Sequence, residues 1–114
     1  MRLYHNPRCS KSRATLALLQ DQGHQPEIVL YLDQAPSVEE LAAICQALGK
    51  HPLEILRSGE ARFKELGLSK ADQRSEAEWL QLMHQNPILI ERPILVQGER
   101  AAVGRPPEAV LDIL

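Results

Sequence analysis

One of the two cysteines, Cys9, stands in the most basic stretch of the chain. The first twenty residues contain four cations and no acidic residue, whereas the whole chain has a formal charge of −2. Three of those cations, Arg8, Lys11 and Arg13, lie close to the cysteine in sequence. Nearby positive charge favours the thiolate over the thiol and so lowers the pKa of a cysteine. The pattern predicts a nucleophilic thiolate at Cys9.

The segments on either side of Cys9 predict a strand, a turn and a helix. Residues 2–5 suit a short strand, and Asn6-Pro7 is a turn signal because the residue before proline avoids helical geometry. From Ser12 onward, apolar residues recur at helical spacing until Gly23, which suits a helix C-terminus. The helix would then begin at residues 9–12. Free backbone N–H groups and the helix dipole at that point stabilise a thiolate and bind oxyanions.

Two side chains near the cysteine are candidates to assist it. His5 ends the predicted strand, and Ser12 has a hydroxyl that can donate a hydrogen bond to the sulfur. Because Ser12 occupies the second cysteine position of a Cys-x-x-Cys motif, no disulfide can close there and electrons must come from outside. A Cys-x5-Arg phosphatase loop is excluded, since Thr15 stands where it needs arginine. A surface thiol without a role is the alternative to a nucleophile at Cys9.

The order of the other elements predicts an α/β fold. Glu27–Leu32 is rich in β-branched and aromatic residues and suits a strand buried on both faces. Residues 94–96 and 101–103 predict a β-hairpin, and Pro106-Pro107 opens a C-terminal helix with residues 109–111, 113 and 114 on its buried face. Together they predict one domain, residues 1–114, with a mixed β-sheet flanked by helices. A thioredoxin-like fold has this order.

The middle of the chain predicts a helical insertion between the βαβ and ββα halves. Ser37 and Glu40 form a capping-box pattern at the start of an apolar stripe that ends at Leu48. Cys45 lies on this stripe, so we interpret it as a core residue. Further helical segments are predicted at residues 52–56, 61–66 and 75–86.

Composition excludes several classes of protein. With 114 residues, 44% hydrophobic and 25% charged, the chain matches a globular domain rather than a disordered one. A pI of about 6.1 disfavours nucleic-acid binding, and two cysteines cannot build a disulfide framework. The four histidines lack the spacing of metal ligands. No apolar run reaches the roughly 20 residues that span a bilayer, and no signal region opens the chain, so we expect neither secretion nor a membrane span. The cysteine usage predicts the cytoplasm, and the histidine spacing predicts that no metal is bound. We also expect a monomer without a bound cofactor.

Three distant arginines are candidates for an oxyanion site. Arg57 ends a predicted helical segment, Arg92 precedes Pro93 and a strand, and Arg105 precedes a proline at a helix start. Guanidinium groups bind oxyanions through paired N–H donors. Spacing alone does not bring these arginines to Cys9, and an ordinary surface position is the alternative for each.

Four segments together resemble one known family across essentially the whole chain. They are Tyr4-His5-Asn6-Pro7-Arg8-Cys9-Ser10-Lys11-Ser12-Arg13, Val29-Leu30-Tyr31-Leu32, Glu91-Arg92-Pro93-Ile94 and Gly104-Arg105-Pro106-Pro107-Glu108. In order and spacing they resemble the glutaredoxin-coupled arsenate reductases. The resemblance implies a thioredoxin-like fold and an oxidoreductase that reduces arsenate to arsenite in arsenic detoxification.

The resemblance also implies roles for particular residues. Cys9 would be the nucleophile, assisted by His5 and Ser12, and Pro93 would follow a cis peptide bond. The arsenate would be held by three arginines, namely Arg57, Arg92 and Arg105. Glutathione would be the reducing co-substrate and glutaredoxin the protein partner. Resistance enzymes of this family carry a longer C-terminal extension, so we expect weaker arsenate turnover here.

Two other functions are compatible with the same residues. One is a monothiol protein that exchanges glutathione mixed disulfides without using an oxyanion; three arginines around the thiol would argue against it. The other is a regulator similar to the Spx proteins, which share this fold and bind RNA polymerase. Those proteins typically carry a Cys-x-x-Cys switch, and Ser12 replaces its second thiol here.

Overall fold

The computed structural model describes all 114 residues, which fall into two compact units. The first unit comprises residues 1–34 and 92–114 and contains the β-sheet, and the second comprises residues 35–91 and is helical. The helical segment therefore interrupts the first unit in sequence, as the predicted insertion requires.

The first unit is built on a four-stranded mixed sheet. Its strands are β1 (Arg2–His5), β2 (Glu27–Leu30), β3 (Ile94–Gln97) and β4 (Arg100–Val103), in the order β2-β1-β3-β4. β1 is parallel to β2 and antiparallel to β3, and β3 and β4 form the predicted hairpin. Gly98 turns the hairpin with a φ of 61°, a conformation that glycine adopts without steric cost.

One face of this sheet is covered by helix α1 (Ser10–Asp21) and by a C-terminal 3-10 helix (Pro107–Ile113). Leu3 pairs with Leu95 across β1 and β3, so both side chains point to this face. The core there consists of Leu3, Leu19, Leu95, Val110 and Ile113. Full burial of such side chains stabilises a fold by about 1.5–3 kcal/mol each, so this core fixes α1 and the loop before it against the sheet.

Two expectations about burial are wrong. The strand predicted at Glu27–Leu32 ends at Leu30, and it is an edge strand rather than one buried on both faces. Ile28 and Leu30 are 39% and 38% exposed, because no element pairs with the outer side of β2. Leu114, placed on the buried face of the last helix, is 40% exposed; the 3-10 helix ends one residue earlier.

The second unit confirms the predicted helices. It contains α2 (Val38–Leu48), α3 (Ala61–Glu65) and α4 (Glu76–Gln85), with 3-10 helices at Pro52–Ile55 and Pro87–Leu89. The Ser37 hydroxyl accepts the Glu40 N–H at the start of α2, and Ser75 with Glu78 forms a capping box on α4. Cys45 is buried on α2, as predicted. None of the helices is long and apolar enough to cross a membrane.

A glycine holds the segment after β4 close to α1. The backbone N–H of Gly104 donates to the Pro93 carbonyl at 2.9 Å. A Cβ added to Gly104 would lie 2.5 Å from the Thr15 hydroxyl oxygen and 2.7 Å from Cγ of Pro93. Both distances are too short for real contacts. Only glycine lets these two segments approach each other.

We therefore expect Gly104→Ala to lower the free energy of unfolding by about 1–3 kcal/mol, the usual cost of overpacking a filled site. The measurement is denaturation by urea. Gly59→Ala is the matched control, because a Cβ there meets nothing within 4 Å and Gly59 has no positive φ. Equal stability of the two variants would contradict the close approach at Gly104.

Candidate active site

The loop between β1 and α1 places Cys9 at the start of a long helix. Cys9 is the N-cap of α1 and has an extended backbone, with φ −92° and ψ 123°. Its N–H donates to the Asn6 carbonyl, and its carbonyl accepts the Arg13 N–H, each at 3.0 Å. An N-cap side chain faces the N–H groups of the first turn, which have no partner within the helix. The Cys9 sulfur therefore lies where a thiolate is stabilised.

The pKa of Cys9 is lowered from its ordinary value. Partial burial by itself raises this pKa, because it disfavours the charged form. Hydrogen bonds from the Ser12 backbone N–H, the Arg92 guanidinium and the Lys11 backbone N–H outweigh that effect. Cys9 is only half-buried, so its sulfur can be reached from solvent.

Two of the three predicted arginines meet at this sulfur. Nη2 of Arg105 lies 3.8 Å from the Cys9 sulfur, while Nε of Arg105 donates to the Arg92 carbonyl at 2.8 Å. The Arg92 guanidinium also acts on this thiolate, since it is one of the causes of the lowered pKa of Cys9. The expected cis peptide bond before Pro93 is present, and a second one, which sequence reasoning missed, precedes Pro106. The geometry thus creates a small cationic site around one thiolate.

His5 and Ser12 form a buried pair beside the cysteine loop. His5 Nδ1 and the Ser12 hydroxyl oxygen are 2.6 Å apart, and the same oxygen accepts the Asn6 N–H at 3.0 Å. The Ser12 hydroxyl therefore faces His5 and the loop backbone, whereas the Ser12 backbone N–H is the group that helps to lower the pKa of Cys9. Burial, and then the charge of Arg13, lowers the pKa of His5, so the ring is neutral at neutral pH.

Arg13 contacts the loop rather than the sulfur. Its Nη1 donates to the Pro7 carbonyl at 2.9 Å, which ties α1 to the turn before Cys9. The positive charge of Arg13 also helps to lower the pKa of His5, after the larger effect of burial. Arg13 therefore holds the loop in shape, whereas the arginine contact to the sulfur comes from distant sequence.

Arg57 belongs to the second unit and is held by two carboxylates. Its Nε bonds Glu60 at 3.0 Å and its Nη1 bonds Glu91 at 2.8 Å, with all three side chains about a quarter exposed or less. Its backbone N–H donates to the Leu89 carbonyl at 2.7 Å. These ion pairs fix the direction of the guanidinium. A role for Arg57 in binding arsenate stays a prediction.

Cys45 has the opposite environment from Cys9. It is 6% exposed on α2, and burial, followed by the negative charges of Glu76 and Glu54, raises its pKa to about 11. A thiol of this kind stays protonated and unreactive at neutral pH. No group of three histidine, cysteine, aspartate or glutamate side chains is placed to hold a metal ion.

The lowered pKa of Cys9 predicts its reactivity against pH. In a Cys45→Ala background, we expect alkylation of Cys9 by iodoacetamide to have its midpoint below the roughly 8.5 of a free thiol. Arg92→Gln raises that midpoint, because it removes a hydrogen bond and a positive charge from the thiolate. Arg100→Gln is the control, since Arg100 is exposed and bonds the Asp112 carbonyl. A wild-type midpoint near 8.5 would contradict the site geometry.

The chain is similar to known proteins along almost its whole length. The ArsC family profile matches residues 4–113. A protein of Haemophilus influenzae named "Arsenate reductase" is 47% identical, with 98% of this chain and 97% of that protein covered. One of Escherichia coli with the same name is 39% identical over 98% of this chain and 79% of its own length. The solved structure "Arsenate reductase from Vibrio cholerae" has a TM-score of 0.94 and 48% identity, covering 99% of this chain and 96% of that one.

These likenesses extend over the whole chain rather than one motif. Both units of the fold, the mixed sheet and the helical insertion, lie within the matched residues. The predicted thioredoxin-like fold is confirmed, with the insertion between its halves. This chain belongs to the ArsC family.

Proposed function

We propose that this protein reduces arsenate to arsenite, with the thiolate of Cys9 as the nucleophile. One observation carries the proposal: the Cys9 sulfur stands at a helix N-terminus with Nη2 of Arg105 at 3.8 Å, and the Arg92 guanidinium helps to lower the pKa of Cys9. Two guanidinium groups and the helix N–H groups attract a tetrahedral oxyanion to the reacting sulfur. Relatives named arsenate reductase support arsenate as that oxyanion.

The first step forms a bond between sulfur and arsenic. The Cys9 thiolate attacks the arsenic of bound arsenate, and one arsenate oxygen takes up two protons and leaves as water. Arsenic keeps its oxidation state of +5 in this step. Arg92 and Arg105 stabilise the negative charge on the oxyanion as the bond forms, which is the usual contribution of fixed cations to such a reaction.

The electrons come from external thiols, as the single reactive cysteine requires. Glutathione attacks the arsenic of the adduct on Cys9 and displaces a second oxygen as water. A glutaredoxin thiolate then attacks the glutathione sulfur and forms a mixed disulfide with it, so the sulfur–arsenic bond breaks and arsenic keeps the electron pair in the +3 state. Water finally cleaves the bond between arsenic and Cys9 and releases arsenite. Overall, arsenate and two thiols give arsenite, one disulfide and one water, so atoms and electrons balance. The Cys9 thiol is regenerated when arsenite leaves. No bound cofactor takes part in this scheme.

Three further residues have supporting roles in the proposal. Ser12 and His5 hold the loop that carries Cys9 through their buried hydrogen bonds. Arg57 would supply a third guanidinium to arsenate, oriented by its ion pairs with Glu60 and Glu91. Because His5 is neutral, it adds no positive charge beside the thiolate, and the arginines and backbone N–H groups stabilise the thiolate instead.

The test is a coupled assay with arsenate, glutathione, glutaredoxin, glutathione reductase and NADPH. We expect NADPH oxidation that depends on arsenate and on this protein. It should be lost when glutaredoxin is omitted. Oxidation without arsenate but with a glutathione mixed disulfide as substrate would favour the disulfide-exchange function instead. No turnover of either substrate would leave a regulator like the Spx proteins as the better explanation.

A further inference from the structure

A cavity of about 370 Å³ opens beside the loop that precedes Cys9. One wall is the turn Asn6-Pro7-Arg8, which leads directly into the cysteine, and the other is formed by Leu30, Leu32 and Asp33 at the end of β2. Sites for small ligands usually have volumes of about 300–1,000 Å³. The cavity therefore suits a ligand of two or three residues.

The β2 wall of the cavity is apolar and accessible. Leu30 is 38% exposed and Leu32 is 41% exposed, and both belong to the small set of large apolar side chains that the fold leaves exposed. Leu30 belongs to the edge strand β2, and Leu32 lies in the turn that follows it. A ligand that covers them removes apolar surface from water, which favours binding.

The two walls also carry opposite charges. Arg8 is exposed on the cysteine side and Asp33 is exposed on the β2 side. The Arg8 backbone N–H bonds the Asn6 side chain, which fixes this residue's backbone in the turn. Neither charged side chain has an ion pair or a hydrogen bond within the protein. A ligand that complements both needs a carboxylate and an ammonium group separated by a short, flexible body.

The cavity lies on the side of Cys9 opposite to the oxyanion arginines. In the strand order β2-β1-β3-β4, the cavity is between the ends of β1 and β2, whereas Arg92 precedes β3 and Arg105 follows β4. The cysteine loop follows β1, so it stands between the two. The cavity and the arginines therefore lie on different sides of the cysteine loop, and a ligand in the cavity does not compete with an oxyanion for the same groups.

We propose that this cavity binds the glutathione that reduces the adduct on Cys9. A carboxylate of glutathione pairs with Arg8, its γ-glutamyl ammonium pairs with Asp33, and its peptide body lies on Leu30 and Leu32. The thiol in the middle of the tripeptide then faces the cysteine loop. The inference rests on the proposed function for the role of glutathione, but binding in the cavity can be measured without arsenate.

The direct test uses S-methylglutathione, which keeps the charges and the peptide but cannot react. Titrated into ¹⁵N-labelled protein, it should shift the amide signals of Arg8 and of residues 30–33 in a saturable way. Asp33→Lys and Leu32→Glu should each weaken binding roughly tenfold or more, equivalent to about 1.4 kcal/mol. Gln34→Lys is the matched control, since Gln34 is exposed next to the cavity and does not line it. Circular dichroism checks that each variant folds.

Two results would overturn the inference. One is a lack of saturable shifts with wild-type protein at tens of millimolar ligand. The other is a set of shifts centred on residues 103–106 that both variants leave unchanged, which would place glutathione on the arginine side. Saturable shifts at the cavity that the two variants weaken and Gln34→Lys leaves unchanged would support it.

Kinetics separate this inference from the proposed function. In the coupled assay, Asp33→Lys should raise the KM for glutathione about tenfold and leave the KM for arsenate as in wild type. An equal rise in both KM values contradicts a site specific to glutathione. If wild-type protein turns over no arsenate, the proposed function fails, while the S-methylglutathione titration still decides whether the cavity binds.

Discussion

Replacing Cys9 with serine is expected to reduce arsenate-dependent NADPH oxidation to the rate without enzyme, a loss of more than about 10³-fold. The serine hydroxyl is not ionised near neutral pH, so the hydrogen bonds from Ser12, Lys11 and Arg92 that stabilise a thiolate have no anion to act on. Arsenate can still be attracted by the arginines in this variant. Reaction at arsenic, rather than binding, is the step that is lost.

The control for this variant is Cys45→Ala, which removes the other thiol. Cys45 is buried on α2 with a raised pKa, so its loss should lower stability modestly and leave turnover near that of wild type. The measurement is the initial rate at saturating arsenate for both variants and wild type. Turnover retained in Cys9→Ser would refute the mechanism, whatever the behaviour of Cys45→Ala.

The second large effect is expected at Arg105. Its Nε is anchored to the Arg92 carbonyl, which directs Nη2 toward the Cys9 sulfur. Arg105→Gln removes the charge, and we expect kcat/KM for arsenate to fall about 10²–10³-fold, the usual cost of losing one oxyanion donor. Arg105→Lys should lower kcat/KM for arsenate almost as much. An ammonium group lacks the planar set of N–H donors with which a guanidinium bonds the carbonyl and the oxyanion at the same time.

Arg100→Gln provides the comparison for loss of charge alone. Arg100 is exposed on β4 and bonds the Asp112 carbonyl, so its removal changes the net charge by the same amount without touching the site. The measurement is the KM and kcat for arsenate with glutathione held at saturation. If Arg105→Gln and Arg100→Gln behaved alike, the structure's placement of Arg105 at the nucleophile would have no catalytic meaning.

Local sequence signals predicted most elements of this fold. The Asn6-Pro7 turn, the Ser37 cap, the helix from residue 75 and the hairpin around Gly98 each depend on a few neighbouring residues, and each is present as expected. The strand β2 was predicted as fully buried because its composition is that of a central strand. The composition of a segment indicates how apolar it is. Whether a strand is central or at the edge depends on which strands pair, and composition does not contain that information.

The candidate site was predicted in part for the same reason. Local sequence predicts the position of Cys9 at the start of a helix, and it also shows the basic residues that lie close to Cys9 in the chain. Local sequence does not predict three other features of the site. They are the direction of the Ser12 hydroxyl, the contact of Arg13 with Pro7 and the close approach at Gly104. Each of these depends on the position of atoms from another segment, which residue spacing does not contain.

By itself, the sequence determined the position of a cysteine at the junction of a strand and a helix, because backbone propensity acts over a few residues, and the helix dipole there favours a thiolate. Only the tertiary structure decided which cations reach the sulfur. Arg92 and Arg105 come from segments more than eighty residues after Cys9, and β3 and β4 bring them there by pairing in the same sheet as β1. The chemistry of the nucleophile is thus local, whereas the oxyanion site is a product of strand pairing.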